Sequence, residues 1–259
     1  GNWYLSAEED ATIALLSKHF KDVIVLINSG NIIDMSWVGK YSIGTVAYIW
    51  QGGQEGGAGT VDVLMGDVAP SGRLTDTIAI SPEDYPCDDC FGDPIKNIHK
   101  EDIYVGYRYF CTFARDKVLY PFGYGMSYTT FGYQDFEVEK SGDAVRVCLT
   151  VTNTGAYTGK EVVQVYLQQP QGKLGKPERV LAAFAKTKEL APGETQKLIM
   201  TFALSDFASF DDLNETGNEY CFVLEQGDYG VRISTDAMHD VYCWGFELPE
   251  DVVVCRFNQ

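Results

Sequence analysis

Basic side chains are scarce in this sequence. Its 259 residues include 20 lysines and arginines against 37 aspartates and glutamates, which gives a formal net charge of −17. Nucleic acids and anionic membrane surfaces are bound through basic patches, so this balance argues against both as partners and is compatible with a neutral ligand such as a sugar. Long apolar runs are also missing. Val23 to Ile27 is among the longest, far below the roughly 20 residues of a membrane-spanning helix.

The sequence also lacks the patterns of several catalytic and metal sites. There is no G-x-S-x-G motif, and the three histidines are scattered, so each is interpreted as structural or surface. Cys87-Asp88-Asp89-Cys90 has the spacing of a metal or redox site, but no second cysteine pair or histidine pair accompanies it. A structural loop is the favoured interpretation there. Seven cysteines leave at least one unpaired, which favours a reducing, cytoplasmic compartment over secretion.

The first part of the chain has the rhythm of an α/β domain. Ser6 and Glu9 predict a capped helix start, and Ile13, Leu15, Leu16 and Phe20 give the helix an apolar face. Buried parallel strands are expected at Val23 to Ile27 and Val46 to Trp50, with a helix at Ala58 to Leu64. Thr77 to Ile80 is expected as a third strand. This order predicts a mostly parallel sheet in a partial α/β sandwich.

The connection to the second part is irregular and aromatic. The long stretch from Ile80 to Glu101 is expected to be a functional loop or one packed on another domain. The aromatic segment Ile103 to Phe110 is predicted to be extended.

From Tyr133 onward the pattern becomes all-β. Val145 to Val151 alternates with the period of a half-buried strand, and Val162 to Leu167 follows as another. Turn residues separate such runs, as in Ala191-Pro192-Gly193-Glu194. About seven strands in about 100 residues predict a fibronectin type III or immunoglobulin-like β-sandwich.

A glycine-rich loop, Gly52-Gly53-Gln54-Glu55-Gly56-Gly57, lies between a predicted strand and a predicted helix. Such a position can hold an anion, but the spacing fits neither nucleotide-binding pattern and Glu55 would repel a phosphate. Two interpretations remain open. The loop is a tight turn in which Glu55 complements the helix dipole, or Gln54 and Glu55 line a sugar cleft.

One segment points to a known family. Leu119 to Phe131, LYPFGYGMSYTTF, resembles the domain junction of the β-glucosidases of glycoside hydrolase family 3. Further segments resemble the family's signatures in its own order, among them Val63 to Leu74, Ile103 to Tyr109, and Gly159 to Tyr166. The resemblance implies the C-terminal part of an α/β sandwich domain at residues 1–118, a junction at 119–131, a fibronectin type III-like domain at 132–248, and a tail or linker at 249–259.

The resemblance also implies that the chemistry lies outside this chain. Retaining enzymes of the family use two carboxylates, an aspartate nucleophile from a (β/α)₈ barrel and a glutamate acid/base from the sandwich domain. The barrel is absent here, and the glutamate would precede Gly1, so no catalytic residue is assigned. The family resemblance implies a β-glucoside or oligosaccharide substrate and the barrel as partner. No cofactor or metal is expected, and the sequence leaves a homo-oligomer open. The tail resembles the bridge to the barrel in permuted bacterial members.

A different class of function is compatible with the same residues. The chain could be a non-catalytic carbohydrate-binding or interaction module, which predicts sugar affinity and an exposed aromatic platform. A nucleotide-binding α/β domain is disfavoured by the net charge and by the loop spacing.

Overall fold

The α/β part of the chain begins with a capped helix. The computed structural model describes residues 3–90 and 92–257. Helix α1 spans Ala7–His19, and Ser6 and Glu9 form the expected reciprocal cap: the Glu9 amide donates to Ser6 Oγ and the Ser6 amide donates to Glu9 Oε2. The predicted helix start is therefore confirmed.

Two parallel strands follow α1, as predicted. Strand β1, Ile24–Ile27, pairs in register with β2, Thr45–Tyr48. Helix α2, Gly56–Met65, comes after the glycine-rich loop and ends at Gly66, whose backbone is left-handed at φ +83°. The strand–loop–helix order on which the α/β interpretation rests is present.

The third predicted strand does not join this parallel pair. Strand β3 is only Ile78–Ala79, and it pairs antiparallel with β4, Val118–Tyr120. The pairing is local to the domain junction, because β4 leads directly into the segment that follows. Short apolar runs carry no signal for which partner they pair with, so the parallel assignment of Thr77 to Ile80 was wrong.

The aromatic segment before the junction is helical rather than extended. Helix α3 spans Tyr107–Phe113 and starts after Gly106, which has φ +58°. Phe110 and Cys111 are fully buried on one face of this helix, and Ala114 continues that face. The prediction of an extended segment was wrong because a run of aromatic residues fits a strand by composition, whereas burial here follows the helical period.

The second part of the chain is a β-sandwich, as predicted. Its strands are β5 Phe131–Ser141, β6 Ala144–Asn153, β7 Val162–Gln168, β8 Arg179–Lys186, β9 Thr195–Ala203, β10 Ser209–Asp211, β11 Cys221–Leu224, β12 Gly227–Ser234, β13 Asp240–Leu248 and β14 Val252–Arg256. One sheet has the order β13-β12-β7-β8 and the facing sheet the order β5-β6-β9. A third sheet has the order β10-β11-β14.

The core of the sandwich follows the alternation of its strands. In β6, Val145, Val147, Leu149 and Val151 are all fully buried. They pack with residues of the facing sheet such as Val163, Val165, Val231 and Ile233. The last strand, β14, pairs antiparallel with β11, so the stretch expected as a tail packs onto the β-domain.

The α/β part buries much less of its apolar surface. Ile13 is the buried residue of α1, while Leu15 and Phe20 are more than half exposed. Ile24 and Leu26, which share one face of β1, are exposed as well, so the prediction of a buried strand was wrong for this face. None of the residues of α2 is buried. This half therefore presents a broad apolar surface within the described chain.

A buried polar seam joins the two parts. Arg73 Nη2 donates to Glu161 Oε1 at 2.6 Å, and Arg73 Nη1 donates to the carbonyl of Gly125 at 2.9 Å. Next to it, Gln164 Nε2 donates to the carbonyls of Gly123 at 3.1 Å and Thr235 at 2.8 Å. These contacts fix the junction segment against β7, which carries Gln164, and against Glu161, the residue directly before β7.

Candidate functional site

The glycine-rich loop lies at the carboxyl edge of the parallel strands. Strand β2 ends at Tyr48, and the backbone pairing extends one step, with the Ile49 amide donating to the Ile27 carbonyl at 3.0 Å. Because β1 and β2 are parallel, the loops that follow them leave the same edge. Ligands of open α/β sheets bind at this edge.

Tyr48 ties the two loops of this edge together. Its hydroxyl accepts from the Ile33 amide at 2.8 Å and donates to the Asn31 carbonyl at 3.2 Å, so β2 holds the loop that follows β1. Its ring packs on Trp50, with centroids 4.7 Å apart. Trp50 has φ +53°, an unusual backbone conformation for a bulky residue. The edge is thus held by specific contacts.

The loop itself requires glycine at one close approach. A Cβ on Gly52 would lie 2.8 Å from the Gly56 Cα, too close for any side chain. The Gly56 amide donates to the Gly53 carbonyl at 3.0 Å, which closes the turn that starts α2. Glu55 stands at the N-cap position of α2, although its side chain does not cap the helix.

Gln54 and Glu55 are therefore presented at the tip of a tight turn. Both are exposed, and neither side chain makes a hydrogen bond or ion pair with a described residue. The structure places them side by side at the sheet edge, with a donor-and-acceptor amide next to an acceptor carboxylate. Their role in binding a sugar stays a prediction.

The other acidic residues of the first part organise the long loop. Asp89 bonds to Lys100 Nζ at 2.7 Å, and this contact lowers the pKa of Asp89. Asp93 accepts from the amides of Ile95 and Lys96, which lowers the pKa of Asp93. Asp84 forms an ion pair with Lys117 at 3.3 Å. These carboxylates stabilise turns and local ion pairs.

The cysteine pair shows no metal-site geometry. Cys90 Sγ donates to the Cys87 carbonyl at 3.4 Å, and all seven cysteines are free thiols. Burial is the main cause that raises the pKa of Cys87, which disfavours the thiolate that metals and redox partners require. Within residues 3–90 and 92–257, no group of three potential ligands could hold a metal ion. No helix among these residues is long and apolar enough to cross a membrane.

The comparisons with known proteins agree with this architecture. Residues 1–128 match the family model described as the glycosyl hydrolase family 3 C-terminal domain, and residues 161–237 match the fibronectin type III-like domain. The chain belongs to glycoside hydrolase family 3. The resemblance found in the sequence is thereby confirmed, as is the combination of an α/β part with a β-sandwich.

Relatives within family 3 are similar along nearly the whole chain. A β-glucosidase from Ruminococcus albus is 45% identical over 259 residues, which cover 100% of this chain and 27% of that protein. A crystallised β-glucosidase from Paenibacillus barengoltzii is 43% identical with a TM-score of 0.93, covering 99% of this chain and 29% of that one. β-Glucosidase 3B of Thermotoga neapolitana, solved with α-D-glucose, is 39% identical with a TM-score of 0.87, covering 96% and 35%.

The chain thus spans about a third or less of the length of these family 3 relatives. Sequence reasoning located the loop of Gln54 and Glu55, but it missed the buried pair of Arg73 and Glu161. These two residues lie 88 positions apart, and neither carries a local motif that signals the contact.

Proposed function

We propose that this chain is the non-catalytic part of a retaining β-glucosidase and forms one wall of its sugar cleft. The observation that carries the proposal is the carboxyl edge of the parallel strands, where Gln54 and Glu55 are exposed and their side chains make no hydrogen bond or ion pair with a described residue. The relatives named as β-glucosidases and a structural neighbour solved with glucose support this assignment. The fibronectin type III-like part braces the wall through the seam of Arg73 and Glu161.

The division of labour in such an enzyme follows from its chemistry. Retaining hydrolysis needs a nucleophilic carboxylate and an acid/base carboxyl group about 5 Å apart across the scissile bond. We assign both groups to parts of the enzyme outside this chain. Gln54 and Glu55 would orient the sugar, since an amide and a carboxylate can together accept from and donate to neighbouring hydroxyl groups.

Variants of the loop test this wall. In the full-length enzyme, we expect Gln54→Leu and Glu55→Gln each to lower kcat/KM for a chromogenic β-glucoside. A lost hydrogen bond to a charged or tightly held group costs about 1.5–3 kcal/mol, or roughly a 10- to 150-fold loss. Glu8→Gln is the matched control, because Glu8 is an exposed glutamate at the start of another helix. Unchanged kcat/KM in both loop variants would contradict the proposal.

The exposed apolar face of the α/β part supplies a second element of the proposal. Phe20, directly after α1, is exposed, and so are Ile24 and Leu26 on one face of β1. We propose that other parts of the same enzyme cover this face, because this chain matches only 27% and 29% of the length of these relatives. Hydrogen exchange of the full-length enzyme at several concentrations tests this. Protection of residues 20–27 at every concentration is expected, whereas protection that grows with concentration would point to a homo-oligomer instead.

A further inference from the structure

Trp50 has a strained backbone conformation at the start of the sugar-binding loop. Its φ of +53° lies in the left-handed region, which is unfavourable for a residue with a Cβ. Such conformations persist where the surrounding structure fixes them, and they cluster at functional sites. Trp50 follows β2 and directly precedes the segment 51–57, which carries Gln54 and Glu55. The turn at Trp50 therefore sets the direction in which this segment leaves the sheet.

The ring of Tyr48 braces this strained turn. The ring centroids of Tyr48 and Trp50 lie 4.7 Å apart, with the planes inclined by 41°. Between them, the Ile49 amide donates to the Ile27 carbonyl at 3.0 Å, which extends the pairing of the parallel strands by one step. The aromatic contact thus acts at the point where the strand pairing gives way to the loop.

The hydroxyl of Tyr48 holds the neighbouring loop. It accepts from the Ile33 amide at 2.8 Å and donates to the Asn31 carbonyl at 3.2 Å, and both backbone groups lie outside the helices and strands. Burial raises the pKa of Tyr48, so the hydroxyl keeps the proton that it donates. One side chain therefore serves both a donor and an acceptor of the loop that follows β1.

The two loops of this edge also touch each other. A Cβ on Gly30 would lie 3.0 Å from Gln51 Nε2 and 3.1 Å from Gln51 Cδ, so the Gln51 side chain lies directly on the backbone of the loop that follows β1. The segment 51–57 thus begins on the loop that the Tyr48 hydroxyl holds. Tyr48 acts on this segment from two sides, through Trp50 and through the neighbouring loop.

We propose that Tyr48 is a positioning residue of the sugar cleft, which holds the two loops of the sheet edge so that Gln54 and Glu55 are placed to orient the substrate. Tyr48 acts through these loops and does not itself bond the sugar. The inference rests on the proposed role of Gln54 and Glu55 in binding the sugar. It extends that role to a residue on the strand behind the loop.

Hydrogen exchange of the full-length enzyme tests the positioning without substrate. Tyr48→Phe keeps the ring on Trp50 but removes the hydroxyl, so exchange at residues 28–33 and 51–57 should become about twofold to tenfold faster. Tyr48→Leu also removes the aromatic contact and should speed exchange at residues 51–57 further. Tyr41→Phe is the matched control, because it removes a part-buried tyrosine hydroxyl that donates to a residue of α1 at 2.7 Å.

Kinetics with a chromogenic β-glucoside separate positioning from a general loss of stability. Tyr48→Phe should raise KM about twofold to tenfold with little change in kcat, because a displaced wall weakens the binding of substrate and transition state alike. The same substitution in a Gln54→Leu, Glu55→Gln background should have no further effect, because Tyr48 acts through these two side chains. Tyr41→Phe should leave KM unchanged in both backgrounds.

The outcomes distinguish this inference from the proposed cleft wall. Loop variants at Gln54 and Glu55 that leave kcat/KM unchanged would overturn the cleft wall and this inference together. If those variants lower kcat/KM, an equal loss from Tyr48→Phe in both backgrounds would overturn the inference alone. Unchanged exchange at residues 51–57 in both Tyr48 variants would overturn it as well.

Discussion

Removing the cation from the seam between the two parts should destabilise the protein strongly. Arg73 and Glu161 are only 12% and 7% exposed, and the bond between them is 2.6 Å long. In Arg73→Met, the carboxylate of Glu161 stays buried and loses its ion pair, while the Val162 amide still donates to it at 2.7 Å. The Gly125 carbonyl also loses its donor. Breaking a buried pair from one side costs about 3–5 kcal/mol.

The size of the effect follows from the uncompensated charge, and a second substitution tests that reasoning. With about 2–4 °C per kcal/mol for a chain of this size, Arg73→Met should lower the melting temperature by roughly 6–20 °C. Adding Glu161→Gln removes the stranded charge and should recover most of the loss.

Thermal unfolding followed by tryptophan fluorescence measures both variants. Arg256→Met is the control, because Arg256 is exposed on β14 and makes no ion pair with a described residue. Two results would refute the reasoning. One is an Arg73→Met variant as stable as the control, and the other is a double variant that is no more stable than Arg73→Met alone.

Three further perturbations follow from the described contacts. Gly123→Ala should lower the melting temperature more than the control Gly142→Ala. Both glycines have positive φ, but only a Cβ at Gly123 would collide with the Gln164 side chain. Equal falls in melting temperature would contradict this. Ser6→Ala should lower the stability of α1 by about 1 kcal/mol, because the helix loses its N-cap. The amides of the first turn of α1 should then exchange hydrogen faster, and unchanged exchange would argue against the cap. Burial raises the pKa of Asp211, but bonds from Thr216 and from the amides of Glu215 and Thr216 outweigh it, so the pKa is lowered. The natural protein should therefore exceed Asp211→Asn in free energy of unfolding by a constant amount above about pH 4, and this difference should shrink as pH falls through the lowered pKa. A difference that does not change with pH in urea titrations would contradict this.

Local signals in the sequence predicted the local structure well. The helix cap of Ser6 and Glu9 is visible because both partners lie within one turn. The alternation of Val145 to Val151 predicted a strand that buries one face, and the structure confirms it. The glycine-rich loop between β2 and α2 was also located correctly.

Features that depend on distant partners could not be predicted in the same way. β3 is too short to reveal its antiparallel pairing with β4, and the aromatic residues of α3 pack in a helical pattern that their composition hides. The domain boundaries, the cytoplasmic compartment and the oligomeric state stay predictions.

The most direct test of the account compares two proteins. Hydrolysis of a chromogenic β-glucoside should be measured for the 259-residue chain alone and for the full-length enzyme, with the fold of the short chain checked by circular dichroism. We predict activity in the full-length enzyme and none in the folded short chain, because both catalytic carboxylates are assigned outside it. Turnover by the isolated chain would contradict the account and would make Glu55 the first residue to test as a catalyst.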